Sequence, residues 1–168
     1  MMDNIRIRTA KEDDFKAISQ IANNCRPMVS ERISIYHIFT KFFQNTVFIA
    51  EKVQNNNVKM IGFLIGFISQ LNRSECYIHL LCVDPKHRGE SAAFNLIQNF
   101  FDVVSQMGCK KVYLITKPIN QKAISFYKKL GFNTEVPDSK IVKFGNLNVF
   151  KDYDGFGEHM IVFGKDIE

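Results

Sequence analysis

The sequence predicts a mixed α/β fold in one domain over residues 1–168. Three observations carry that expectation. Apolar runs with strand character, at 47–53, 58–70, 75–83 and 111–116, alternate with stretches of helical period in the order β-α-α-β-β-β-α-β-α-β-β. Polar turns such as Gln54-Asn55-Asn56-Asn57 and Leu71-Asn72-Arg73-Ser74 separate neighbouring strands. The 168 residues, 46% hydrophobic and 23% charged, suffice for one stable core, and no linker or internal repeat interrupts them.

The elements follow in order. Ile5-Arg6-Ile7-Arg8 alternates apolar and charged residues, as a half-buried strand does. Residues 9–25 read as a helix with Phe15, Ile18, Ile21 and Ala22 on its apolar face, and 29–43 as a second, less regular helix. Strand 58–70 carries Gly62 and Gly66, which mark bulges or close approaches of backbone. Strand 75–83 is the central one. Residues 94–107 form an amphipathic helix with Phe94, Ile97, Phe101 and Val104 on one stripe. After strand 111–116, Asn120 caps a short helix that ends at Gly131, where a left-handed cap is expected. A Gly-containing turn at 151–158 leads into a last strand.

Between the central strand and the helix from Phe94 lies Val83-Asp84-Pro85-Lys86-His87-Arg88-Gly89-Glu90-Ser91-Ala92-Ala93. A strand, a short basic loop of small residues and a helix start together hold a phosphate well. The helix N-terminus offers unpaired N–H groups and a partial positive charge, and small residues let the ligand reach them. The loop fits Arg-x-x-Gly-x-Gly/Ala, with Ser91 where Gly is usual. No Gly-x-Gly-x-x-Gly and no Gly-x-x-x-x-Gly-Lys-Ser/Thr is present. A second motif follows one strand–helix unit later: Asn120-x-x-Ala123-x-x-Phe126-Tyr127-x-Lys129-x-Gly131-Phe132.

Together these motifs resemble the GNAT superfamily of acyl-CoA-dependent N-acetyltransferases. The resemblance is strongest over 76–132 and weakest over 11–50. It implies a mostly antiparallel central sheet flanked by helices on both faces, and acetyl-CoA as co-substrate with no metal. It implies that Arg88, Gly89, Glu90, Ser91, Ala92 and Ala93 bind the pyrophosphate. Leu81 and Val83 would offer backbone groups to the pantetheine arm, with the Val83 N–H as an oxyanion donor; Cys82 would join the cofactor site near the bound thioester, and Asn120 would contact the pantetheine arm. Tyr127 matches the family tyrosine that protonates the leaving thiolate. The turn and last strand over 151–163 resemble a terminal hairpin of some GNAT branches.

Acetyl transfer needs a neutral amine. A lysine-like amine with a pKa of ~10.4 is only about 0.1% neutral near neutral pH, a deficit of roughly 4 kcal/mol. His79, which shares a strand face with Tyr77, is the candidate base; Glu75 and Glu31 are further carboxylates near the site. Asp152, Asp154 and Glu158 form an acidic cluster that suits a cationic acceptor. The acceptor, a small-molecule or peptide amine, is set by 11–50 and the terminal hairpin, where the motifs are silent. The alternative reading is a catalytically silent acyl-CoA-binding module.

Composition narrows the partners. The net charge of +5 invites nucleic acid, yet the basic residues are dispersed, with no dense stripe and no aromatic ladder. Cys25, Cys76, Cys82 and Cys109 lack metal-ligand spacing, and Cys76 and Cys82 read as small core residues. No apolar run reaches transmembrane length, and Met1-Met2-Asp3-Asn4-Ile5-Arg6 has no signal-peptide character. A cytoplasmic monomer or homodimer is the expectation.

Overall fold

A computed structural model describes residues 4–136 and 140–168. Met1–Asp3, part of the N-terminal stretch read above, lie outside them. The chain forms two compact units, residues 1–109 and 110–168.

The first unit is built on four strands: β1 (Asn4–Thr9), β2 (Val47–Gln54), β3 (Asn57–Ile68) and β4 (Glu75–Val83). Each pairs antiparallel with the next; β2–β3 and β3–β4 are joined by the tight turns that the sequence marks, and β1 reaches β2 through the helical segment between them. Helices α1 (Phe15–Ala22) and α2 (Ile33–Phe42) cover one face. There Ile18, Ile21 and Tyr36 pack with Val47, Ile49, Phe63, Ile65, Leu80 and Cys82. Helix α3 (Ala92–Gln106) covers the other face, where Phe100 meets Phe48 edge-on at 6.4 Å. Burial of these side chains from water is the main force that holds helices to sheet.

Both marked glycines are sites of close approach. A Cβ on Gly66 would stand 2.5 Å from the Phe100 ring and 2.8 Å from the Tyr77 carbonyl, and one on Gly62 would stand 2.8 Å from the Cys82 carbonyl.

Three expectations need correction. The helix expected over 9–25 begins only at Phe15, because the Asp14 carboxylate draws the Lys11 N–H (2.7 Å) and the Arg8 guanidinium into a 3-10 turn at Glu12–Asp14. The helix expected from residue 29 starts at Ile33. Arg32, just before it, is extended, and the Glu31 N–H donates to the Tyr36 hydroxyl at 2.8 Å. Phe94 is exposed, and the buried set of α3 is Leu96, Ile97, Phe100, Phe101 and Val104. At about 100° per residue, Phe94 stands roughly 90° from the centre of that stripe.

The second unit pairs β9 (Ile161–Asp166) antiparallel with both β5 (Lys111–Thr116) and β6 (Asn133–Thr134). Helix α4 (Gln121–Lys129) starts where the Asn120 side-chain oxygen Oδ1 accepts the Ala123 N–H at 3.2 Å. It ends at Gly131, whose φ of 86° is left-handed as expected. A hairpin, β7 (Ile141–Phe144) and β8 (Leu147–Phe150), precedes the 151–158 turn, and Phe150 bridges Met160 beyond it.

Candidate active site

The 84–93 loop is shaped by local chemistry. The Asp84 carboxylate accepts the Lys86 N–H at 3.0 Å, and Pro85 opens a 3-10 turn. The backbone is left-handed at Gly89 (φ 85°) and at Ser91 (φ 64°). Nothing lies within 4 Å of a Cβ placed on Gly89, so this side of the loop is open. The first helical bond of α3 runs from the Asn95 N–H to the Ser91 carbonyl at 2.9 Å. The N–H groups of Ala92, Ala93 and Phe94 therefore have no helical acceptor.

The side chains divide by role. Arg88 is exposed and forms no ion pair among the described residues. The Glu90 carboxylate takes the Lys52 ammonium at 3.0 Å and faces His87 at 3.5 Å. Ala92 is buried, with its methyl group toward the core.

The ladder between β3 and β4 decides which backbone groups of β4 are open. Asp84 N–H donates to the Ile61 carbonyl, so these two residues are a hydrogen-bonded pair. In an antiparallel ladder such pairs alternate with non-bonded ones. The next pairs are Val83 with Gly62, Cys82 with Phe63 and Leu81 with Leu64. Leu81 and Val83 thus turn their backbone groups away from β3. Cys82 turns its own into the ladder, and its sulfur is bonded to Cys25, with the two Cα atoms 5.9 Å apart. The expectation that Cys82 serves the cofactor is corrected: neither its backbone nor its side chain is open. The disulfide itself has no signature in the sequence, because the two residues are 57 apart and come together only through packing.

Further up β4, the partner of Gly66 is Ile78 while that of Ile65 is Leu80, so His79 is an unpaired bulge residue. A bulge re-aims side chains and recurs beside active sites. The His79 ring stacks on Phe39 of α2, with centroids 5.5 Å apart and planes 20° apart, and lies 6.4 Å from Tyr77. Its Nε2 lies 3.2 Å from Glu31 Oε1. Two of the three candidate base residues thus meet, from segments 48 residues apart in sequence. Glu75, at the first position of β4, does not share this contact.

In the second unit, the Tyr127 ring is set among Phe126, Phe132 and Phe163, with centroids at 5.4, 5.7 and 5.9 Å. Desolvation pushes its hydroxyl well above the ordinary tyrosine value of 10, so it stays protonated at neutral pH. The acidic cluster is engaged internally. Asp152 accepts the Gly157 N–H at 2.8 Å, and Glu158 pairs with Lys117 at 3.2 Å. No trio of His, Cys, Asp or Glu able to hold a metal ion occurs among the described residues, and no described helix is long and apolar enough to cross a membrane.

This combination of fold and motifs defines an acyltransferase. The model of the acetyltransferase (GNAT) family matches residues 15–132, and the chain belongs to that family. It is 38% identical over 56 residues to N-alpha-acetyltransferase 30 of Schizosaccharomyces pombe, a match covering 33% of this chain and 37% of that protein. The match therefore spans little more than a third of that relative. Among solved structures, Ard1 from Thermoplasma volcanium superposes with a TM-score of 0.76 at 19% identity, covering 98% of each chain. Diaminobutyrate acetyltransferase EctA from Paenibacillus lautus, solved with L-2,4-diaminobutyric acid and coenzyme A, superposes with a TM-score of 0.72 at 13% identity, covering 96% of this chain and 94% of its own. These neighbours share the mixed fold with a mostly antiparallel central sheet.

Proposed function

We propose that the chain works as one catalytic domain that transfers an acetyl group from acetyl-CoA to a primary amine of a small molecule or peptide. The observation that carries this reading is the 88–93 loop. Left-handed turns at Gly89 and Ser91 expose the first N–H groups of α3, and Arg88 stands free beside them. That arrangement suits a pyrophosphate. The backbone groups of Leu81 and Val83, which face away from β3, suit the amides of a pantetheine arm, with the Val83 N–H serving the oxyanion. The amide nitrogen of Asn120, whose oxygen is used as a helix cap, suits the same arm. The coenzyme A bound by the Paenibacillus neighbour supports the choice of co-substrate.

Acetyl-CoA supplies the activated acyl group; the protein supplies two protonic groups. His79 takes a proton from the amine as the new N–C bond forms. Tyr127 gives its proton to sulfur as the C–S bond breaks, which spares the cost of releasing a bare thiolate. The acceptor side has a carboxylate, Glu31, and an aromatic wall, Phe39, which suit a cationic amine.

The test has two parts. Acetyl-CoA at about 100 times its dissociation constant should add roughly 2.7 kcal/mol. For a domain of this size that raises the melting temperature by roughly 5–10 °C. Tyr127→Phe should lower kcat by about 100-fold or more, as for loss of a general acid, with the same thermal shift as wild type. No shift with acetyl-CoA would refute the cofactor, and unaltered kcat in the variant would remove Tyr127 from the mechanism. Ser91, a non-glycine residue in left-handed backbone, favours the alternative of a silent acyl-CoA-binding module. Binding without transfer to any amine would establish that alternative.

A further inference from the structure

We infer that Glu31 is a positioning residue that fixes the neutral His79 ring as its Nε2–H tautomer, so that Nδ1 is the atom that receives the proton. This rests on His79 as the base. The contact between Glu31 Oε1 and His79 Nε2 is 3.2 Å. An ionised carboxylate can only accept a hydrogen bond, so Nε2 must carry the hydrogen and Nδ1 keeps its lone pair. The ring plane is set independently, by the Phe39 ring stacked on it at 5.5 Å and 20°. Bond and stack together leave the ring one orientation, which a free histidine on a strand would not have.

Glu31 is itself held. It lies two residues before α2, and its N–H donates to the hydroxyl of Tyr36 at 2.8 Å. Tyr36 is fully buried in the core between α2 and the sheet, which makes it a rigid anchor. Burial also pushes its phenol above the ordinary tyrosine value, so the hydroxyl stays neutral and does not repel the carboxylate nearby. The bulge at His79 is the complementary device on the strand, because it releases that residue from the ladder and lets the ring turn toward α2. When the ring gains its proton, Glu31 faces an imidazolium and stabilises the charge that forms.

The test combines a spectroscopic and a kinetic readout on the full chain. In protein labelled with 15N-histidine, the His79 signals of wild type at neutral pH should show one protonated and one unprotonated nitrogen, assigned as Nε2–H and Nδ1 by their couplings. Glu31→Ala should convert this to a mixture of tautomers and lower kcat by about 10-fold to 100-fold, the range for losing the partner that orients a histidine. Glu31→Gln, which keeps an acceptor oxygen, should recover much of both. Tyr36→Phe should shift both readouts in the same direction by less. The thermal shift with acetyl-CoA should be unchanged in the Glu31 variants. A His79 that keeps the Nε2–H tautomer in Glu31→Ala overturns the inference. If the tautomer changes but kcat does not, and His79→Ala is equally active, then His79 is not the base and the inference falls with that reading.

Discussion

Removing the Glu51 charge should destabilise the protein measurably and change how its stability depends on pH. Glu51 lies directly opposite Arg6 in the β1–β2 ladder, with a side chain only 8% exposed. Its carboxylate accepts from Arg6 Nη2 at 2.6 Å and Nε at 3.1 Å, and from Arg8 Nε at 2.6 Å. Arg8 continues into a two-pronged pair with Asp14, at 2.7 and 3.0 Å. Hydrogen bonds to charged partners contribute about 1.5–3 kcal/mol each when buried. The Arg6 end is 57% exposed and contributes less than about 1 kcal/mol. Arg8 keeps Asp14 in the variant, so no cation is stranded. Glu51→Gln should therefore cost about 2–3 kcal/mol. With an unfolding entropy of about 2.1 cal/mol/K per residue, that lowers the melting temperature by roughly 6–9 °C.

Burial raises the Glu51 carboxyl, but the hydrogen bonds from Arg8 and Arg6 outweigh it and hold the group below the ordinary carboxylate range. Asp14 behaves likewise, burial being outweighed by Arg8 and the Lys11 N–H. A carboxyl depressed in the folded state adds stability above its unfolded pKa of about 4 and loses it as pH falls through the folded value. The gap between wild type and Glu51→Gln should thus be full at pH 7 and narrow below about pH 4. Melting curves of both proteins from acid to neutral pH read this directly. A gap below about 2 °C at neutral pH, or one that stays constant into acid, would refute the reasoning.

Two more perturbations test other parts of the structure. Ser91→Gly relieves a left-handed residue, worth about 1 kcal/mol, and loses part of it to glycine chain entropy, so the melting temperature should hold or rise by up to about 3 °C. Acetyl-CoA should bind that variant at least as tightly; weaker binding in both Ser91→Gly and Ser91→Ala would assign the hydroxyl a phosphate contact instead. The Cys25–Cys82 bond closes a loop over a separation of 57 residues, so its reduction, or Cys25→Ala, should cost roughly 4 kcal/mol. Thiol titration of the denatured, unreduced protein should count only Cys76 and Cys109, and four thiols would show that the bond is absent.

Much of the chain declares itself locally. Strands 75–83 and 111–116 have the bounds expected from their apolar runs, and Asn120 and Gly131 mark the ends of α4 by cap chemistry alone. Gly62 and Gly66 were legible because a missing side chain in a strand has few other reasons. The two motifs around 84–93 and 120–132 were enough to set the family, since phosphate loops and capped helices are short-range constructions. The β7–β8 hairpin was not legible, because its strands are only four residues each and carry little pattern.

What the sequence by itself determined is therefore the class of fold and the acyltransferase family, both written in contacts between near neighbours. Tertiary structure alone decided that His79 is a bulge residue, that Glu31 meets it, that Cys25 reaches Cys82, and that Cys82 turns its backbone groups into the β3 ladder while Leu81 and Val83 turn theirs away from it. Each of these depends on register between strands or on helix-to-sheet packing. Such contacts join residues tens of positions apart, and no local propensity or spacing encodes them.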